Sequence, residues 1–113
     1  MSVSHVTTHI LDTTAGRPAT GVAVVLEARD GDAWTRIGSG STDADGRVKE
    51  LGPERLASGV YRLRFDTGAY FAGIETDAFF PEVALTFAVD AEQQHYHVPL
   101  LLSPFAYSTY RGS

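Results

Sequence analysis

No cysteine occurs among the 113 residues. This excludes a disulfide framework, a thiol nucleophile and any cysteine-ligated zinc or iron–sulfur centre, and it fits a reducing compartment. Positive charge is scarce as well: nine Lys and Arg stand against fourteen Asp and Glu, a net charge of −5. Nucleic acid and anionic membrane surfaces call for a basic patch, so neither is an expected partner. No apolar stretch approaches the length that spans a bilayer. The opening Met1-Ser2-Val3-Ser4-His5 lacks the basic-then-apolar pattern of a secretion signal. The last three residues are not a peroxisomal address. These absences together predict a soluble, cytoplasmic protein, without internal repeats or low-complexity stretches.

The length corresponds to a single domain, residues 1–113. At this size roughly 65% of the unfolded surface can be buried, enough for a core that needs neither metal nor disulfide. Turn signals recur at short intervals: Ala15-Gly16-Arg17-Pro18, Asp30-Gly31-Asp32, Asp43-Ala44-Asp45-Gly46, Leu51-Gly52-Pro53, Ser58-Gly59, Phe80-Pro81 and Ser103-Pro104. Strand-length segments rich in Val, Thr, Tyr and Phe lie between them, which predicts an all-β sandwich. Tyr61, Leu63 and Phe65 alternate with Arg62 and Arg64, as expected of a sheet with one wet face; Val83, Leu85, Phe87 and Val89 alternate likewise. Gly21–Ala28 and Val98–Leu102 read as apolar or small on both faces, which predicts that their outer faces meet another molecule, most simply a second copy of the chain. One short helix is expected over Gly68–Gly73.

Four histidines stand at 5, 9, 95 and 97. Residues two apart on a strand share a face, so Thr7, His9 and Leu11 line one side of the first strand. By the same count His95, His97, Pro99 and Leu101 share a face, as do Ser108, Tyr110 and Gly112. If these faces adjoin, two imidazoles, a hydroxyl and a phenol meet, and Arg47, opening the strand after the Asp45-Gly46 turn, adds a fixed positive charge. Such a set suits hydrolysis: a neutral imidazole is the natural general base for water near neutral pH, and a guanidinium holds an oxygen-rich planar substrate through paired donors. Two alternatives stay open at this point. His9, His95 and His97 have spacing compatible with zinc, and Arg47 beside its turn is by default a surface charge. His5, near a free end, is expected to be solvated. Ser108 lacks the context of a strained nucleophile elbow and is not expected to be a nucleophile.

Thr8-His9-Ile10-Leu11-Asp12 followed by Gly16-Arg17-Pro18-Ala19, the turn Asp43-Ala44-Asp45-Gly46-Arg47, and His95-Tyr96-His97-Val98-Pro99-Leu100-Leu101-Leu102-Ser103-Pro104 with Tyr107-Ser108-Thr109-Tyr110-Arg111-Gly112-Ser113 resemble the transthyretin-related family over essentially the whole chain. Within that family the Tyr-Arg-Gly-Ser ending resembles the enzyme branch, the 5-hydroxyisourate hydrolases, rather than the hormone carriers. The resemblance implies a transthyretin-like sandwich of two antiparallel sheets, about eight strands, with one short helix. It implies a homotetramer, a dimer of dimers with sites at the dimer–dimer interface, and no cofactor or metal. It assigns His9, Arg47, His97 and the terminal Tyr110-Arg111-Gly112-Ser113 to the site; His9, Arg47 and His97 are expected to be catalytic, His9, Arg47, Ser108, Tyr110, Arg111, Gly112 and Ser113 to lie against the substrate, and Arg111 with the chain end to hold the last strand in register. The implied reaction is hydrolysis of the N1–C6 amide of 5-hydroxyisourate in urate breakdown. A carrier of small aromatic ligands without turnover is the alternative.

Overall fold

The computed structural model describes residues 3–113. Nine strands and one helix follow in chain order: β1 (Val6–Asp12), β2 (Arg17–Pro18), β3 (Ala23–Asp30), β4 (Ala33–Ser41), β5 (Arg47–Val48), β6 (Gly59–Phe65), α1 (Thr67–Gly73), β7 (Val83–Val89), β8 (Tyr96–Leu102) and β9 (Tyr107–Thr109). They form two sheets. One runs β2-β1-β8-β9, with β5 also paired to β1; the other runs β4-β3-β6-β7. The expected sandwich is therefore present, and the predicted helix lies one residue longer at its start. Asp66 caps that helix by accepting the Ala69 N–H at 3.1 Å.

Alternation decides which side chains fill the space between the sheets. Val6, Ile10, Val98, Leu100 and Leu102 of one sheet meet Val24, Leu26, Leu63, Phe65 and Val83 of the other, all nearly or fully buried. Each such side chain contributes about 1.5–3 kcal/mol relative to exposure. β1 and β8 pair in parallel over seven residues, from Val6↔Tyr96 to Asp12↔Leu102, whereas the other strand pairs are antiparallel.

β4 carries a bulge at Ile37, the extra residue opposite the Leu26–Glu27 step of β3. Gly38 and Gly40 follow this point because the backbone of Leu51 and the Val48 side chain leave no room for a Cβ there. Gly21–Ala28 departs from expectation. Glu27 interrupts its outer face and is nonetheless 7% exposed, because Arg62 from β6 covers it with two short contacts (2.8 and 2.7 Å). Arg62 in turn lies 4.2 Å from the centroid of the Trp34 ring, so an ion pair under an aromatic ring covers Glu27 on this face.

His5 is also a correction. It is 1% exposed rather than solvated. The Leu56 N–H donates to its Nδ1 at 2.9 Å, which leaves Nε2 to donate to the Gln93 carbonyl at 2.7 Å. The ring packs at 5.7 Å from Tyr96. Position near the start of the chain suggested exposure; two backbone partners from distant loops override it.

Asp12 joins the sheets to the helix. Its Oδ1 accepts the N–H groups of Thr14 and Ala15, and its Oδ2 accepts the Tyr70 hydroxyl at 2.7 Å. Burial, and then the bond to Asp12, push the Tyr70 phenol up to about 12. No helix among the described residues is long and apolar enough to cross a membrane.

Tyr70→Phe removes a hydrogen bond to a charged group and is expected to cost about 1.5–3 kcal/mol in denaturant unfolding. The unfolded phenol titrates near 10 and the folded one near 12, so wild-type stability falls as pH rises through this window. Tyr70→Phe should lack that alkaline component.

Candidate active site

Three elements bring the predicted residues together. The outward face of β1 presents Thr7, His9 and Leu11, and that of β8 presents His97, Pro99 and Leu101. The parallel register sets Thr7 opposite His97 and His9 opposite Pro99. Across the other edge of β1, His9 faces Arg47 of β5. His97 is thus diagonal to His9, and the two rings lie 6.5 Å apart, inclined by 28°.

The tight turn before β5 fixes Arg47. Asp43 Oδ1 accepts the N–H groups of Asp45 and Arg47, and the Asp43 carbonyl accepts that of Gly46. The bond from the Arg47 N–H holds the Asp43 carboxyl below its usual range. Gly46 has φ +75°, and a Cβ there would stand 2.5 Å from the Ile10 carbonyl. Only glycine accepts both the dihedral and the approach to β1.

His97 is clamped on two edges. Its Nδ1 lies 2.9 Å from Thr7 Oγ1, and its Cδ2 edge rests against Gly112, where an added Cβ would approach to 2.8 Å. The Gly112 N–H donates to the His97 carbonyl at 2.8 Å. This leaves Nε2 as the nitrogen with no protein partner among the described residues. Burial first, and then the charges of Arg47, His9 and His95, hold the His97 imidazole below its usual range. Its neutral form therefore persists to lower pH than that of a free histidine.

A groove of about 350 Å³ opens beside this ring, lined by Thr7, Arg47, Lys49, His95, His97 and Ser113 together with Val3 and Thr8. Sequence reasoning placed His95 on the His97 face and weighed it as a metal ligand, saw Thr7 only as a face residue, and missed Lys49. The structure bonds His95 Nε2 and His97 Nδ1 to the same Thr7 hydroxyl. Among the described residues no group of three or more His, Cys, Asp or Glu is placed to hold a metal ion, so His9, His95 and His97 are not grouped as a ligand set.

The remaining predicted residues are spread more widely. Ser108 pairs with Leu101 on the outward face, two face positions beyond His97. Tyr110 and Arg111 line a separate cavity of about 580 Å³ with Leu85, Phe87 and Tyr96, which His97 also borders. The Arg111 guanidinium lies 4.7 Å from the Tyr96 ring centroid, with Nη2 3.5 Å from Gln93 Oε1. These contacts tie the last segment to the underside of β8.

The family described as HIUase/Transthyretin matches residues 6–112. The chain belongs to this family. Among relatives, a 5-hydroxyisourate hydrolase of Salmonella dublin is 53% identical over 106 residues, covering 93% of this chain and 78% of that protein. A 5-hydroxyisourate hydrolase of Caulobacter vibrioides is 46% identical, covering 98% and 100%. Two branches of the HIUase/transthyretin family appear among solved structures. Sea bream transthyretin in complex with thyroxine superposes with a TM-score of 0.91 at 37% identity, over 96% of this chain and 94% of that one. Klebsiella pneumoniae 5-hydroxyisourate hydrolase gives 0.84 at 37%, over 100% and 96%.

Two substitutions test this geometry. Arg47→Gln removes a positive charge near His97, so the His97 midpoint in an NMR titration should rise toward about 6.5. Gly112→Ala forces a methyl against the ring; it should shift the His97 resonances and cost about 1–3 kcal/mol in thermal unfolding.

Proposed function

We propose that this protein hydrolyses 5-hydroxyisourate, with His9, Arg47 and His97 as its catalytic residues. The observation that carries this reading is a clamped imidazole of lowered proton affinity, its Nε2 without a protein partner among the described residues, near a second imidazole and a guanidinium. The fold alone does not choose between branches, since a carrier and a hydrolase both superpose closely. The names of the sequence relatives favour the hydrolase. So does the lining of the groove, which is more cationic than an aromatic carrier requires.

The bond broken is the N1–C6 amide. One imidazole takes a proton from water as its oxygen bonds to C6. The other gives a proton to N1 as the C6–N1 bond opens, so the elements of water are added, giving 2-oxo-4-hydroxy-4-carboxy-5-ureidoimidazoline. Arg47 orients the ring through its planar set of donors and offsets charge on the C6 oxygen. Gly112 and Ser113 shape the pocket around His97. Ser108 and Tyr110 reach substrate from the β9 side, and Arg111, stacked on Tyr96, keeps that segment in place.

Assembly as a homotetramer, a dimer of dimers with the groove at the dimer–dimer interface, belongs to the same proposal. Support comes from the unpaired edges of β7 and β9 and from the exposure of Phe79 (70%) and Phe105 (69%). We take the chain as a single domain acting in the cytoplasm, in keeping with the lack of cysteine.

The test is to oxidise urate to 5-hydroxyisourate in situ and follow its ultraviolet decay with the purified protein. Wild type should accelerate decay, and His9→Ala and His97→Ala should each lose about 10²–10⁴ in rate. Because His97 must be neutral to act as base, and its affinity for the proton is lowered, activity should fall at acid pH with a midpoint below about 6.5. A well-folded wild type without acceleration overturns the reading.

A further inference from the structure

Thr7 occupies an unusual place: its single hydroxyl stands 2.9 Å from His95 Nε2 and 2.9 Å from His97 Nδ1. It is 6% exposed, while His95 is exposed. We propose that Thr7 links His97 to His95 as a hydroxyl-bridged proton relay that switches His97 between base and acid. This rests on the hydrolase reading above and refines it: His97 serves in turn as base and as acid, and His9 positions the water.

One hydroxyl hydrogen cannot be donated to two nitrogens at once. If both nitrogens donated to Oγ1, the hydroxyl hydrogen would have no acceptor among the described residues. With Thr7 only 6% exposed, the arrangement that satisfies every hydrogen within the protein makes the two rings complementary. In one arrangement His97 Nδ1–H donates to Oγ1 and the hydroxyl donates to His95 Nε2, which leaves His97 Nε2 as a base without a protein partner among the described residues. In the other, His95 Nε2–H donates to Oγ1 and the hydroxyl donates to His97 Nδ1, so that His97 carries its hydrogen on Nε2 as an acid.

Passing between them moves one proton. When His97 Nε2 accepts a proton from water, the Nδ1 proton goes to Oγ1 as the hydroxyl's own proton goes to His95 Nε2. His97 is then neutral again with Nε2–H ready for the leaving nitrogen, and His95 carries the charge. Donation from Nε2 reverses the transfer, and the proton balance closes over the turnover.

The surroundings explain why the charge should move outward. His97 is faced by His9 from β1, Arg47 from β5, Lys49 from the segment after it, and His95 from the approach to β8. No aspartate or glutamate side chain lines the groove among the described residues. An imidazolium at His97 is thus half-buried among basic side chains, in line with its lowered proton affinity, whereas His95 is exposed to solvent. Thr7 is a positioning and relay residue that touches His97 rather than substrate.

The experiment compares Thr7→Val, which keeps the shape and removes the hydroxyl, with Thr7→Ser, which restores it, and with His95→Gln. Thr7→Val should lower kcat about ten- to a hundredfold with KM within about twofold, and should displace the pH profile. Thr7→Ser should stay within about twofold of wild type, and His95→Gln should follow Thr7→Val. Nitrogen-15 NMR of the substrate-free protein supplies an arm independent of activity. Wild type and Thr7→Ser should show one donor and one acceptor between His95 Nε2 and His97 Nδ1, and Thr7→Val should lose that complementarity. Two donors in wild type, or a folded Thr7→Val with unchanged kcat and pH profile, would overturn the relay. An inactive wild type with complementary imidazoles would instead remove the hydrolase reading and leave the hydrogen-bonded bridge standing.

Discussion

The parallel pairing of β1 with β8 is the constraint on which the rest of the site depends. It sets Thr7 against His97 and His9 against Pro99, and a slip of one residue would turn every one of these side chains to the opposite face. The partners are 90 positions apart in sequence, but loop-closure entropy grows slowly, with about 0.6 kcal/mol added per doubling of length. The register is specified from beneath. Val6, Ile10, Leu100 and Leu102 are buried on the inner face of the same strands, so a slip would expose the core along with dispersing the site.

The inner face also carries polar anchors that reach toward the groove. Ser4 Oγ accepts the Leu51 N–H and donates to the Lys49 or Val6 carbonyl, and His5 ties Leu56 to Gln93. Lys49, just past β5, and Gln93, just before His95, are thereby fastened to the start of β1. The groove is built on a framework whose polar groups are already satisfied; no buried side-chain nitrogen or oxygen among the described residues lacks a partner. A site held this way requires little reorganisation when substrate arrives.

Faces were legible in the sequence and registers were not. Alternation correctly separated Thr7, His9 and Leu11 from the core side of β1, and placed His97 and Ser108 outward. It carried no information on which strand would neighbour which, so the shared hydroxyl between His95 and His97 was invisible. His5 was misread because nearness to the chain start suggested solvent, whereas its burial comes from loops around residues 56 and 93. Glu27 was passed over because a buried carboxylate needs a partner, and that partner, Arg62, lies 35 positions away. Arg111 reads as a substrate ligand in the motif, yet its contacts in the fold are with Tyr96 and Gln93.

The bulge at Ile37 has a consequence for colloidal behaviour. β4 is a nine-residue strand at the edge of its sheet, the kind of long free edge onto which stray chains add to build fibrils. The extra residue, Ile37, breaks the regular spacing of its outward hydrogen-bonding groups and increases local twist. An incoming strand would find its ladder out of step halfway along, so this edge is poorly suited to seeding ordered aggregates.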